Sequence, residues 1–120
     1  LKKNLTGELK LTFEVEKGLH VQSNPASAPN LIATTVELEP EKEFTWQTPN
    51  YPGGKAISLP NFGALNSYSG RFDIKVPIVA NAVLPSGKKK LKGSIRYQAC
   101  NEKTCFFPMT LPFNVNLDIN

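Results

Sequence analysis

Cys100 and Cys105 are the residues of this 120-residue chain whose type and spacing could do chemistry. They bracket Asn101-Glu102-Lys103-Thr104, and a run of alternating character lies on each side, so a hairpin with a four-residue loop is expected. Directly opposed residues on such a hairpin have Cα atoms about 4.5–5.5 Å apart, inside the window a disulfide needs. Three uses of the pair are consistent with that spacing. A structural staple is one, although closing so short a loop removes little unfolded-state entropy, about 2 kcal/mol. Disulfide exchange is another, because the end of a sheet is where a partner reaches a sulfur. Metal binding is the weakest, since two thiols and one distant histidine, His20, fall short of the four ligands of a structural zinc site. Spacing alone leaves staple and exchange open.

No other constellation competes. His20 follows a turn glycine, Gly18, and would tune a thiol only if the fold brought it near one, so it receives no role. Trp46 alternates with Phe44 and reads as core or near-core. The sequence holds no Ser/His/Asp arrangement, phosphate-cradling glycine loop or paired catalytic carboxylates, which removes support for hydrolase and kinase readings. The net charge of +4 is concentrated in Lys88, Lys89, Lys90 and Lys92, just after Pro85-Ser86-Gly87. These lysines read as a solvated hairpin turn, and no aromatics interleave with them to stack bases, so no nucleic-acid partner is expected.

The elements that must position the cysteines are strands. Leu9, Leu11, Phe13 and Val15 alternate with charged and polar residues, the signature of a strand buried on one face. Ile32 to Leu38, Phe44 with Trp46, and Ile57 with Leu59 give shorter runs. Phe72, Ile74, Val76 and Ile78 form another, in which Pro77 points to an edge position or a bulge. Leu91 to Tyr97 and Leu111 to Ile119 alternate on either side of the cysteines. No window repeats apolar residues at helical spacing, and most of the ten prolines and eight glycines fall between the runs. Seven or eight short strands so punctuated indicate an antiparallel β-sandwich, without the Cys…Trp…Cys spacing of true immunoglobulin domains. Ser23 to Asn30 and Asn50 to Ser69 resist a strand assignment. The second reads as a long loop carrying Tyr51, Phe62 and Tyr68, and long loops in compact domains are commonly functional.

Length and composition fit one folded domain over residues 1–120, with 40% hydrophobic and 20% charged residues spread along the chain. No stretch approaches the roughly 18 consecutive apolar residues of a membrane-spanning helix. The expectation is a domain cut from a longer envelope protein, with a leader before Leu1 or membrane helices after Asn120 belonging to the parent.

The residues flanking the cysteines add what spacing lacks. Tyr97-Gln98-Ala99-Cys100, followed by Cys105-Phe106-Phe107-Pro108, resembles the redox hairpin of the N-terminal periplasmic domain of the DsbD family of transmembrane thiol-disulfide interchange proteins. The likeness continues more loosely through Gly18-Leu19-His20-Val21 and through Tyr68 to Pro77. It departs at Phe107, where the family often carries a second proline. The resemblance implies an immunoglobulin-like sandwich, located in the periplasm and acting as a protein-disulfide reductase. Its oxidised pair would accept two electrons from a thioredoxin-like donor domain and pass them to oxidised periplasmic thiol proteins. It implies Cys105 as the sulfur of the mixed disulfide and Cys100 as the resolving partner, with Tyr97, Gln98, Phe106 and Pro108 supporting the hairpin. It also implies an aromatic cap over the cysteines, for which Phe62 and Tyr68 are the candidates. No organic cofactor and no metal are expected, and the domain is expected to be monomeric. The competing reading, from another class, is an immunoglobulin-like envelope binding or adhesion module whose hairpin disulfide is purely structural.

Overall fold

The period-two runs become strands in the computed structural model, which describes residues 6–59, 63–81 and 87–119. In chain order these are β1 (Thr6–Glu14), β2 (His20–Gln22), β3 (Thr35–Leu38), β4 (Phe44–Trp46), β5 (Lys55–Leu59), β6 (Gly63–Tyr68), β7 (Arg71–Ala80), β8 (Gly87–Tyr97), β9 (Ala99–Cys100) and β10 (Met109–Ile119). Every strand pairing is antiparallel, and the described residues contain no helix. The architecture is all-β, as the alternation predicts, and is an immunoglobulin-like sandwich, as the resemblance implies.

Two three-stranded sheets, in the orders β1-β7-β4 and β10-β8-β3, form the body. Leu9 pairs with Val76 and Leu11 with Ile74 on one sheet, and Val36 pairs with Ile95 on the other. Paired residues share a face, so these side chains meet with Phe44, Ile78 and Leu91 in a single apolar core. Burying each large aliphatic contributes about 1.5–3 kcal/mol. Trp46 sits at the margin of this core as expected, stacked on Phe44 at 5.7 Å with its Nε1 donating to Glu39 O.

A third sheet, in the order β5-β6-β2-β9, carries the cysteines. It bears out the short Ile57–Leu59 run as part of β5 and corrects the rest of the reading of Asn50 to Ser69 as a loop, since β6 pairs with β5 within that segment. Its alternation is hard to see because the buried positions include Ser67 and the outward ones include Ala56 and Ala64.

Of the two positions Pro77 allows, the edge is excluded, because β7 is the central strand of its sheet. Between the Trp46–Ile78 pair and the Asn50–Lys75 bridge, however, the chain opposite β7 has three residues against two, which is a bulge. The missing Pro77 N–H therefore falls where the ladder is already interrupted, while Pro77 O still accepts from Gln47 N at 2.9 Å. The lysine cluster is not a hairpin turn. Lys88 to Lys92 lie on β8, which belongs to a different sheet from β7, and Lys89 bridges Glu41 and Glu43 at 3.6 and 3.3 Å. Pro85 and Ser86 fall outside the described residues.

Candidate functional site

The cysteine end is built by one change of sheet. β8 runs in the sandwich to Tyr97, Gln98 leaves the ladder, and β9 then pairs with β2, placing Cys100 opposite His20 and Ala99 opposite Val21. The Gln98 side chain holds this crossover from both ends, its Oε1 accepting from Ile32 N at 2.9 Å and its Nε2 donating to Phe106 O at 3.2 Å. The loop that follows is closed by Asn101. Its N–H donates to Thr104 O at 2.9 Å, and its Oδ1 accepts from the N–H groups of Lys103 and Thr104, each at 2.8 Å. Asparagine suits this position because its short side chain caps nearby backbone donors. Phe106 N then donates to Ala99 O at 2.8 Å.

Cys100 and Cys105 consequently face each other across an antiparallel bridge and are joined as a disulfide. Their Cα atoms are 3.9 Å apart, closer than the hairpin spacing predicts. The two sulfurs have different surroundings. Cys100 is 0% exposed, whereas Cys105 is half-buried. Leu31, Ile57 and Leu65 pack around the pair, the last two being cross-strand partners on the β5-β6 hairpin. His20 and Gln22, two apart on β2, share the sheet face of Cys100. Gln22 Nε2 donates to Cys100 Sγ at 3.3 Å, while Gln22 Oε1 and His20 Nδ1 are buried without a partner among the described residues.

The structure gathers most of the residues singled out from sequence. Gln98 and Phe106 are in direct contact with the hairpin, and Phe106 and Phe107 are 45% and 90% exposed beside Cys105. Pro108 is half-buried between them and β10. Tyr97 packs instead with Val21, Tyr68 and Ala99. Tyr68 is likewise not a cap over the disulfide. It pairs with Val21, so its ring lies on the sheet face opposite Cys100, where it stacks on Phe72 at 4.6 Å. Its hydroxyl donates to Pro52 O at 2.8 Å and accepts from Asn24 N at 3.1 Å. Burial pushes the Tyr68 phenol above its ordinary value, with the Asn24 hydrogen bond pulling the other way. Phe62, the other cap candidate, lies outside the described residues. The cover seen over the sulfurs is aliphatic, and the sequence reading missed it together with Gln22. No spacing signal links Gln22 to a cysteine 78 positions away.

Comparison with known proteins agrees with the hairpin. Residues 3–117 match the family model described as the N-terminal part of the thiol:disulfide interchange protein DsbD. The fold matches the crystal structure of the Neisseria meningitidis DsbD N-terminal domain in the reduced form, with a TM-score of 0.54 and 15% sequence identity. The match covers 91% of this chain and 76% of the Neisseria one. No curated protein matches the sequence.

Proposed function

The chain belongs to the family of DsbD N-terminal domains, and from that premise we propose that it passes reducing equivalents from a thioredoxin-like donor to oxidised proteins of the periplasm through Cys100 and Cys105. The observation that carries the reading is the asymmetry of the pair. Cys105 is half-buried beside two exposed phenylalanines, and Cys100 is fully buried behind it. A donor thiolate attacks Cys105 Sγ, a donor–Cys105 bond forms, the Cys100–Cys105 bond breaks, and the electron pair leaves on Cys100 Sγ. The donor's second thiol then attacks its own sulfur in the mixed disulfide and releases the Cys105 thiolate. Two electrons have entered, the donor is oxidised, and both cysteines take up protons according to pH. The second half runs in reverse, with Cys105 attacking the substrate disulfide and Cys100 resolving. Electrons travel as thiol pairs, so the step needs no organic cofactor.

Incubation with a reduced thioredoxin-like protein, followed by alkylation and mass spectrometry, tests the proposal. Two new alkylatable thiols under native conditions are expected, and a reduced donor lacking its second cysteine should stay linked to Cys105 as the mixed disulfide, with Cys100 left as the alkylatable thiol. An intact disulfide after that incubation would leave the staple of a binding or adhesion module as the reading.

A further inference from the structure

Gln22 is the residue of the site that packing explains least. It is 1% exposed, and its backbone is clamped on both sides. Its N–H donates to Gln98 O at 3.2 Å, and its carbonyl accepts from Thr34 N at 3.3 Å and Thr34 Oγ1 at 2.6 Å. These bonds fix β2 against the crossover and aim the side chain at Cys100, with Nε2 at 3.3 Å from Sγ. Chemistry dictates which half of the amide points there. A disulfide sulfur has lone pairs and no proton, so only the NH2 group finds a partner. The carbonyl half is buried without one among the described residues. A leucine or methionine would fill the same volume with no orphaned atom, so the amide calls for a use beyond filling space.

We propose that Gln22 is a catalytic residue of the exchange, its Nε2–H stabilising the negative charge that builds on Cys100 Sγ as the disulfide opens. The proposal rests on the exchange reading above and names what directs it. When a thiolate attacks Cys105, the electron pair of the breaking bond moves onto Cys100. That sulfur lies among Leu31, Ile57 and Leu65, away from water. A fixed donor in such a place is worth more than one in solvent, because nothing has to reorganise as the charge appears. A better stabilised leaving thiolate departs faster. The donor serves Cys100 alone, so it adds a chemical preference for attack at Cys105 to the steric one. In the reverse half-reaction the same N–H keeps Cys100 ionised more of the time, ready to resolve the mixed disulfide.

Gln22→Met keeps the length of the side chain and removes the donor. Cleavage of the oxidised pair by dithiothreitol is expected to slow about tenfold, the size of one hydrogen bond to a charged group. A merely structural role would not move the ionisation of Cys100. In Cys105→Ser protein, where Cys100 is the one thiol, the thiolate absorbance should appear at higher pH with methionine at position 22 than with glutamine. The titratable group facing Cys100 is His20, and Lys55, Glu102 and Lys103 are exposed around the same end, so His20 is followed separately by its ring protons. Should the methionine variant misfold, the wild-type reduced protein still decides. The Gln22 side-chain amide resonances should shift as Cys100 titrates, and flat resonances would overturn the proposal. Equal cleavage rates and equal thiolate titrations in the folded variant would overturn it too. Neither result touches the exchange reading, which fails only if wild-type protein is not reduced by a thioredoxin-like donor.

Discussion

The sandwich body and the cysteine-bearing sheet are built on different principles. In the body, β1, β7 and β8 run for nine to eleven residues and bury Leu9, Leu11, Ile74, Val76, Ile78, Leu91 and Ile95 in one apolar core. In the β5-β6-β2-β9 sheet the strands run from two to six residues, and buried Gln22 and Ser67 lie opposite each other beside Cys100. Long strands accumulate hydrophobic stabilisation, whereas short ones held by side-chain hydrogen bonds fix a few atoms in place. The comparison teaches that stability and sulfur chemistry are carried by separable parts of one chain, joined at Gln98 and through Phe72, which packs against both the body core and the Tyr68 cluster.

The largest expected effect tests that separation from the side of the body. Ile74 is fully buried at the centre of the core, and Ile74→Ala should lower stability by about 2–5 kcal/mol through lost burial and the cavity left behind. Urea unfolding should show an earlier midpoint with an unchanged slope. Under conditions where the variant remains folded, its disulfide should react with dithiothreitol at the wild-type rate, because Ile74 and the cysteines pack in clusters that share no residue and such sites add independently. A proportional change in the thiol rate would show the two regions to be one cooperative unit.

The same division explains what was legible in sequence. Strands such as β1 and β7 display enough residues for a period of two to be counted, and they come out close to the predicted bounds. The Cys100–Cys105 hairpin was readable because its cysteines, loop and flanking residues are contiguous. β2 spans three residues and β9 two, too few to show any period. Without a strand assignment the parity of β6 was unknown, so nothing in the sequence told whether Tyr68 or Leu65 faces the sulfurs. Parity puts Leu65 there and Tyr68 on the reverse side. Gln22 was invisible for a related reason, since a buried polar residue looks like a surface one until its partner 78 residues away is placed beside it.

A smaller effect is expected where the two regions meet. Tyr68 is buried with its hydroxyl between Pro52 O and Asn24 N, and Tyr68→Phe should cost about 1 kcal/mol at neutral pH by leaving both groups unpaired. The phenol is held above its ordinary value of 10.0, chiefly by burial. A folded-state value raised above the unfolded one means that the folded form keeps its proton longer. That contribution is fully present below pH 10 and is lost as pH rises through the folded-state value. Wild-type stability should therefore fall more steeply with alkaline pH than that of the phenylalanine variant, measured by urea midpoints across that range. Parallel curves would mean that the hydroxyl is not sealed from water and that the joint between the regions is loose.

The smallest expected effect on the fold falls on the residue expected to matter most to a partner. Phe107 is 90% exposed immediately beyond the hairpin. A large apolar ring held in water contributes almost nothing to folding, so Phe107→Ser should change stability by no more than about 0.5 kcal/mol. It should equally leave the reaction with dithiothreitol alone, since a small dithiol needs access to Cys105 and no docking surface. A protein donor is different, because seating it beside Cys105 removes the ring from water, and losing that burial weakens the encounter complex. The rate with a reduced thioredoxin-like protein should drop several-fold while the small-molecule rate holds. Parallel loss in both would place Phe107 within the sulfur chemistry, and no loss in either would leave the exposed phenylalanines without a part in exchange and move the docking surface elsewhere on the cysteine-bearing sheet.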